Sequence, residues 1–373
     1  TWTQTAAVST LLHGGSFVGG VVGFNDAGAA ITVADSAALT VSGRIACVQD
    51  AVGGLAGLNC GTALPAVTVK AELVSGRYCV GGVLGANVVT TNMTATGLCT
   101  DGSGNSLQAQ ALAGGIVGYN QVIAAMPAPA ENNTITRAKL LLPVVSNTSG
   151  ILTVTGQNTE GTATVTLNNC TNALNLTADA YVGGVVGWGE HLALNDAQNG
   201  ALHSVSKGVL HSSGSLQAQP APSADAVTGN AAGGIIGYAG GSATLQNCQN
   251  FAGVFHKQAA GGIAGYNAGT IQNCTQSANL GTRQTGYTYI GGIAGVNAGT
   301  IQTSAPDRVT ISGEQAVGGV AGLNTHTIQD INNCTVTVQG SQAVGGLAGK
   351  NNGTVQGSNL QNVNVAASGI NAG

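Results

Sequence analysis

The chain has 373 residues, of which 60 are glycine and only 6% are charged, and its formal net charge is −4. No cluster of lysine and arginine is present that could neutralise phosphates, which excludes a nucleic-acid-binding protein. Apolar runs stay well short of the roughly 18 residues of a membrane-spanning helix, so no membrane insertion is expected.

A five-residue motif, Gly-Gly-apolar-apolar-Gly, recurs along the chain and predicts the fold. The last four steps between copies are 28, 30, 27 and 27 residues, a period typical of stacked repeat proteins. β-Branched residues alternate with small polar ones, which is a strand pattern. We therefore expect an all-β chain, a parallel β-solenoid of about ten or more coils with ~27–30 residues each. The ten copies begin at Gly19, Gly53, Gly81, Gly114, Gly183, Gly233, Gly261, Gly291, Gly318 and Gly345.

The spacing of the motif divides the chain into three blocks. Residues 1–120 are predicted to form irregular N-terminal coils, 121–232 to hold two long insertions, and 233–373 to form regular coils. The insertions account for motif steps of 69 residues after Gly114 and 50 residues after Gly183. Loops that project from a rigid scaffold commonly carry binding specificity, so both insertions are candidate binding segments.

An asparagine lies six residues after the first glycine in eight of the ten copies, and Gly189 and Ala239 replace it in the other two. Asparagine tolerates the left-handed conformation of tight corners, and stacked amides form ladders. We predict a structural ladder, with a row of ligand-binding amides as the alternative. Its members are Asn25, Asn59, Asn87, Asn120, Asn267, Asn297, Asn324 and Asn351.

The two apolar residues of the motif indicate a second feature. Neighbours in an extended strand point to opposite faces, so the second apolar residue is predicted to face outward and form an interaction stripe. The alternative is that glycine bends the strand and both residues point inward. The predicted stripe comprises Val22, Ala56, Val117, Val186, Ile236, Ala264, Ala294, Ala321 and Ala348.

Aromatic residues cluster at the position before the asparagine, although they make up only 3% of the chain. Trp188 and Tyr238 occupy this position in the two copies that lack the asparagine. An aromatic stack along a solenoid binds sugars by ring stacking in one interpretation, and is plain packing in the other.

Eight cysteines are present and none forms a Cys-x-x-Cys pair, which argues against zinc ribbons and thioredoxin-type redox sites. An even count fits an oxidising compartment; buried free thiols are the alternative. Coils about 4.8 Å apart would bring Cys248 and Cys274, on adjacent coils, within disulfide range. The candidate disulfides are therefore Cys248–Cys274 and, among the four N-terminal cysteines, Cys47–Cys60 and Cys79–Cys99.

No catalytic, cofactor-binding or metal-binding residues are predicted. His191, His203 and His211 have spacings that fit no metal motif. The 14 acidic residues occur singly, whereas glycosidases need paired carboxylates.

The repeats GGIAGYNAGTIQNC, from Gly261, and GGIAGVNAGTIQTS, from Gly291, resemble the GLUG motif of secreted and cell-wall proteins of bacteria, including large adhesins. The resemblance is close from Gly233 to Asn359 and irregular before that. It implies a β-solenoid on a bacterial surface, and the start at Thr1 without a visible signal peptide fits a processed form or a fragment.

We therefore expect a non-enzymatic extracellular structural or adhesive protein. Its expected partners are further copies of itself, assembling end to end or laterally into a filament, or a host or surface glycan. The alternatives are a carbohydrate-binding module of a larger secreted protein and an ice-binding solenoid, and an enzyme such as a polysaccharide lyase or hydrolase is the least favoured.

Overall fold

The computed structural model describes residues 11–33, 39–101, 105–128, 134–148, 151–200, 210–211, 231–283 and 285–369. The chain winds into a mostly β, parallel solenoid of about ten turns, as two sheets of 10 strands each show. The predicted fold class is therefore confirmed. The division into three blocks remains a prediction.

Two sheets, called II and III here, are built from the glycine motif. The first glycine ends a strand of sheet II, the next two residues form a bend, and the last two motif residues begin a strand of sheet III. Sheet II contains Val18–Gly19, Asp50–Gly53, Tyr78–Gly81, Ala111–Gly114, Ala180–Gly183, Ala232–Gly233, Gln258–Gly261, Thr288–Gly291, Gln315–Gly318 and Gln342–Gly345. Sheet III contains Val22–Asn25, Ala56–Asn59, Leu84–Val89, Val117–Val122, Val186–Gly189, Ile236–Ala239, Ala264–Asn267, Ala294–Asn297, Ala321–Asn324 and Ala348–Asn351.

Sheet IV has 8 strands and follows sheet III along each of its coils. Its strands alternate inward apolar and outward polar residues, which is the pattern of a sheet with one solvated face. They are Met93–Thr96, Val165–Asn168, Leu192–Asn195, Thr244–Gln246, Thr270–Gln272, Thr300–Gln302, Thr327–Gln329 and Thr354–Gln356.

Sheet I closes the coil with 16 strands. In its middle part it divides into two separate rows of stacked strands, called here rails. The long strand Val67–Ser75 pairs with Leu98–Thr100 through its first half and with Ser106–Gln108 through its second half. The rails rejoin at Ala305–Ser312. The remaining strands are Leu11–Gly14, Leu39–Cys47, Thr171–Asn172, Asn175–Thr177, Gln198–Asn199, Leu210–His211, Gln249–Asn250, Val254–Phe255, Thr275–Gln276, Leu280–Gly281, Thr335–Gly340 and Val363–Ala367.

The first insertion folds onto the outside of the solenoid. It contains the helix α1, Thr134–Leu141, and an antiparallel hairpin of Val144–Thr148 and Ile151–Thr155. Arg137 ties the helix to an early coil, because its guanidinium lies 2.9 Å from the Asp26 carboxylate. Buried residues of this insertion join a second apolar cluster, separate from the solenoid core, that lies along sheets II and III.

The predicted outward stripe is wrong. Ala56, Val117, Val186, Ile236, Ala264, Ala294 and Ala321 are 0% exposed, and Val22 and Ala348 in the first and last copies are part-buried. In the Gly261 copy, Ile263 and Ala264 both belong to the main core cluster. The first apolar residue lies in the bend after the first glycine, and the second begins the next strand. Strand alternation therefore does not apply to this pair, and both side chains point into the core.

The third glycine of the motif makes a close contact between sheets II and III. A Cβ on Gly295 would lie 2.4 Å from the backbone carbon of Ala259 and 2.6 Å from the nitrogen of Ala260. A Cβ on Gly322 would lie 2.3 Å from the backbone carbon of Tyr289 in the same way. Because the obstructing atoms belong to the backbone, only glycine fits at this position. Repetition of the motif therefore produces a line of backbone-to-backbone contacts along the solenoid, called here the glycine seam.

In nine of the ten copies the residue two positions before the first glycine has a left-handed backbone, which kinks the chain there without shifting the register of sheet II. At Ala259 the φ angle is 45° and at Ala316 it is 52°, and the pairing register omits Ala259 between Gln258↔Thr288 and Ala260↔Ile290. The left-handed conformation costs about 1–2 kcal/mol in a residue with a Cβ. The kink turns this side chain towards the second apolar cluster, which contains Ala259. The same conformation occurs at Phe17, Ala51, Cys79, Leu112, Tyr181, Tyr289 and Ala343.

Candidate functional site

The predicted asparagine ladder is confirmed by its hydrogen bonds. One run passes from Asn25 through Asn59 and Asn87 to Asn120, with amide-to-amide distances of 2.7, 2.7 and 2.8 Å. The other passes from Asn267 to Asn351 with distances of 2.8, 2.8 and 2.7 Å. The interior members are buried, so the ladder holds coils together and is not a row of amides open to a ligand.

A second buried ladder lies at the corner where sheet I divides, and sequence reasoning missed it. Thr100 donates to Asn172, Asn172 to Asn199, Asn199 to Asn250, and Asn250 to Gln276, at 2.7, 2.9, 2.8 and 2.6 Å. The signal was an amide two residues after the small corner residue, in the segments CTN, AQN, CQN and CTQ.

The predicted disulfides are wrong, because all eight cysteines are free thiols. Cys47 lies in the main core cluster while Cys60 lies in the second one. Cys79 is on sheet II and Cys99 on sheet I.

Cys248 and Cys274 do stack on adjacent coils, but they make a different contact from a disulfide. The backbone N–H of Cys248 donates to the Cys274 sulfur at 3.4 Å. Both side chains point into the core, and both are almost fully buried. Burial raises the pKa of the thiols of Cys60, Cys170 and Cys334 to about 12.

Cys248 and Cys274 occupy the small corner position that precedes the second buried ladder, and Ser304 occupies the same position in the next coil. The Ser304 hydroxyl accepts a hydrogen bond from the backbone N–H of Cys274 at 3.0 Å. Two coils after Cys274 the position belongs to Ile331, whose backbone N–H donates to Ser358 Oγ at 3.2 Å. Cys334 therefore lies three residues past this column and is not part of it.

The asparagine ladder breaks at Gly189 and Ala239, and only one end of the break has a replacement partner, because the buried Asn267 Oδ1 at the other end has no hydrogen-bond partner. Asn120, the last amide before the gap, donates to the backbone carbonyl of Glu190 at 3.0 Å. Gly189 and Ala239 pair with each other in sheet III, so the strands stay in register although the amides are missing.

An aromatic stack lies beside the break. The Trp188 and Tyr238 rings are 3.8 Å apart and nearly parallel, and the Tyr238 and Tyr266 rings are 5.3 Å apart. Tyr181 packs edge-on against Trp188 at 5.0 Å. The three stacked rings are part-exposed. Because their faces are turned towards each other, they offer solvent mainly their edges and polar tips.

Charged groups accompany the aromatic stack. The His191 ring lies 2.7 Å from the Glu160 carboxylate, which the first insertion supplies. The Glu190 carboxyl lies against Gly240, where a Cβ would come within 1.7 Å of it. Burial, and secondarily the charge of Glu160, raises the pKa of Glu190 to about 7. Burial, and secondarily Glu190, also raises the pKa of Tyr238 above its usual range.

These residues form one candidate site, the aromatic–carboxylate patch, defined as Glu160, Tyr181, Trp188, Glu190, His191, Tyr238 and Tyr266. The sequence pointed to Trp188 and Tyr238 but not to the carboxylates, since Glu160 is 30 positions before Glu190 and acts on it electrostatically only through the fold of the first insertion. A carboxyl with a pKa near 7 can exchange a proton at neutral pH, and aromatic edges and hydroxyls suit an apolar ligand with polar substituents.

Other predicted positions lie away from this patch. His203 is outside the described residues, and His211 lies on a strand of sheet I. Among the residues that the structure describes, no group of three or more His, Cys, Asp or Glu side chains is arranged to hold a metal ion. Within the same residues, no helix has the length and apolarity needed to cross a membrane. No family model, curated protein or solved structure matches the chain.

Proposed function

We propose that this chain is a non-enzymatic structural or adhesive protein of a bacterial surface that assembles end to end into a filament. The observation that carries the proposal is the unbroken register of sheets II and III through all ten copies of the motif. Such a stack is a stiff rod of roughly 43–48 Å, at about 4.8 Å per coil. The resemblance to the GLUG motif supports an extracellular, bacterial setting.

The end-to-end contact in this proposal uses the edges of the last described strands, Gln342–Gly345, Ala348–Asn351, Thr354–Gln356 and Val363–Ala367. Their rows of side chains continue those of the preceding coil, as Ile328↔Val355 and Asn324↔Asn351 illustrate. A strand edge in this register is a template for a further strand, here from a second copy. Lateral assembly through the predicted apolar stripe is not retained, because that stripe is buried.

Electron microscopy of the purified chain over a range of concentrations tests the proposal. Val355 ends the inward row of sheet IV and is 37% exposed, so Val355→Lys should leave single rods where the wild type forms fibres. Thr354→Lys is the matched control, since Thr354 is on the outward face of the same strand, and it should still form fibres. Single rods for the wild type at every concentration, without binding to bacterial cells or their polysaccharides, would refute the proposal.

A carbohydrate-binding module is the second candidate, favoured by the aromatic–carboxylate patch. In this alternative Trp188→Ala abolishes retention on a glycan array while the fold persists, because the Trp188 ring is part-exposed. A hydrolase at the same patch would use Glu190 as its proton donor. Glu190→Gln would then end hydrolysis and leave glycan binding in place, which distinguishes the two activities.

A further inference from the structure

Sheet IV presents a surface of uncharged side chains, called here the Thr–amide face, on which all outward residues except Ala193 are polar. Each of its eight strands contributes two outward residues, and all sixteen are at least part-exposed. One column consists of Thr94, Thr166, Ala193, Thr244, Thr270, Thr300, Thr327 and Thr354. The other consists of Thr96, Asn168, Asn195, Gln246, Gln272, Gln302, Gln329 and Gln356.

Five of the seven amides of the second column are held in place by hydrogen bonds to one another. Gln356 donates to Gln329 and Gln329 donates to Gln302, each at 2.9 Å. Asn195 donates to Asn168 at 2.9 Å in an earlier part of the column. Each amide in such a ladder retains a second N–H, and the neighbouring threonines add hydroxyls. Side chains that are already ordered lose less entropy when they bind.

The dimensions of the face favour an extended ligand over a globular one. Eight strands at about 4.8 Å span roughly 34 Å along the axis, and two columns of side chains span only about 7 Å. A globular partner or a second copy would bury a few hundred Å² there, well below the roughly 800 Å² per partner of a stable interface. A polymer that lies along the axis would instead repeat the same contacts from coil to coil.

The chemistry of the face narrows the class of polymer. With no charged residue in either column, the face has nothing to pair with phosphates, sulfates or carboxylates. Hydroxyls and amides exchange hydrogen bonds with neutral hydroxyl groups. Ice is the less suitable periodic partner, because a flat row of Thr-x-Thr pairs would be needed and only Thr94 and Thr96 form one on this face.

We propose that the Thr–amide face binds an extended, uncharged polysaccharide that lies along the solenoid axis. This inference rests on the proposed adhesive function and names its partner class. The ligand contacts successive coils through the threonine hydroxyls and the free amide N–H groups. Because each coil adds a similar contact, affinity rises steeply with the length of the polysaccharide.

Affinity electrophoresis of the full chain in gels containing amylose, dextran, mannan or hydroxyethyl cellulose tests the inference. The variant Gln302→Ala/Gln329→Ala/Gln356→Ala removes the amide ladder from one end of the face. The control, Thr337→Ala/Asn364→Ala, changes outward residues that are paired in sheet I. We expect at least one polysaccharide to retard the wild type and the control, and the triple variant to bind about tenfold more weakly or worse.

Length dependence gives a second measurement. Oligosaccharides of the retarding polymer that reach across about six coils should compete about 10²-fold better than those that reach across about two. No retardation in any gel, equal binding by the triple variant, or loss of binding through Trp188→Ala instead would overturn the inference. Inhibition of ice growth without glycan binding would also overturn it. Fibre formation by the triple variant is scored separately, so the adhesive-filament proposal can survive the loss of this site.

Discussion

The glycine seam between sheets II and III predicts that Gly295→Ala severely destabilises the protein. The added Cβ would lie 2.4, 2.6 and 2.7 Å from three backbone atoms of Ala259 and Ala260. Overpacking in an interior costs about 1–3 kcal/mol where side chains can give way. Here the obstructing atoms are backbone in a paired strand, so the loss should reach about 3 kcal/mol or more.

Gly241→Ala is the matched control, since a Cβ at Gly241 meets nothing within 4 Å. Both substitutions restrict the unfolded chain to the same degree, so their difference reports the folded contact. With a urea m value of about 3 kcal/mol/M, Gly295→Ala should lower the unfolding midpoint by about 1 M, measured by far-UV circular dichroism. Equal midpoints for the two variants would show that sheets II and III are not in backbone contact at this position.

Three further predictions concern the ladder, the patch and the thiols. Asn297→Ala should cost about 2–4 kcal/mol, because it leaves buried groups of Asn267 and Asn324 without their partner; Asn364→Ala, on an exposed part of sheet I, should cost under about 0.5 kcal/mol. The pKa of Glu190 is raised in the folded state, so its favourable contribution is present below about pH 4.5 and is lost as pH rises through about 7. Glu190→Gln should therefore stabilise the protein by about 1–3 kcal/mol at pH 8, allowing for partial solvent screening. It should also make the unfolding midpoint depend less on pH. An unchanged pH profile would contradict a raised pKa of Glu190 in the folded protein. In the native protein a thiol reagent should modify Cys99 readily and the seven buried cysteines slowly, whereas all eight should react without reductant in urea; fewer than eight would reveal a disulfide.

The sequence contained most of the fold because a solenoid repeats its constraints in every coil. Asparagine at a fixed position after the motif predicted both the corner and the amide ladder, and the hydrogen bonds from Asn267 to Asn351 confirm that ladder. The prediction that the second apolar residue faces outward was wrong, because side chains alternate between faces in an extended strand but not across a glycine bend. Ala264 shows this, since it follows the bend and is 0% exposed.

The candidate sites were less predictable because they depend on contacts between distant segments. Glu160 meets His191 only because the first insertion returns to the solenoid beside the break in the ladder. The second buried ladder, from Asn172 to Gln276, lies at the corner that forms where sheet I divides into two rails. Neither arrangement has a local signal in the sequence beyond an amide or an acid at one position.

The interruption of the ladder is itself an argument about where function lies. At Gly189 and Ala239 the chain lacks two amides, and with them three links of a ladder that otherwise joins every neighbouring coil. Trp188, Tyr238 and Tyr266 stack along the same gap, and a carboxyl with a raised pKa lies beside them. Regular repeats commonly depart from their own rule where a site requires it. Ala239→Asn would place an amide N–H opposite the buried Asn267 Oδ1, which has no hydrogen-bond partner, and should therefore raise the urea midpoint. A loss of glycan or cell binding in the same variant would place a recognition role at the patch rather than on the Thr–amide face.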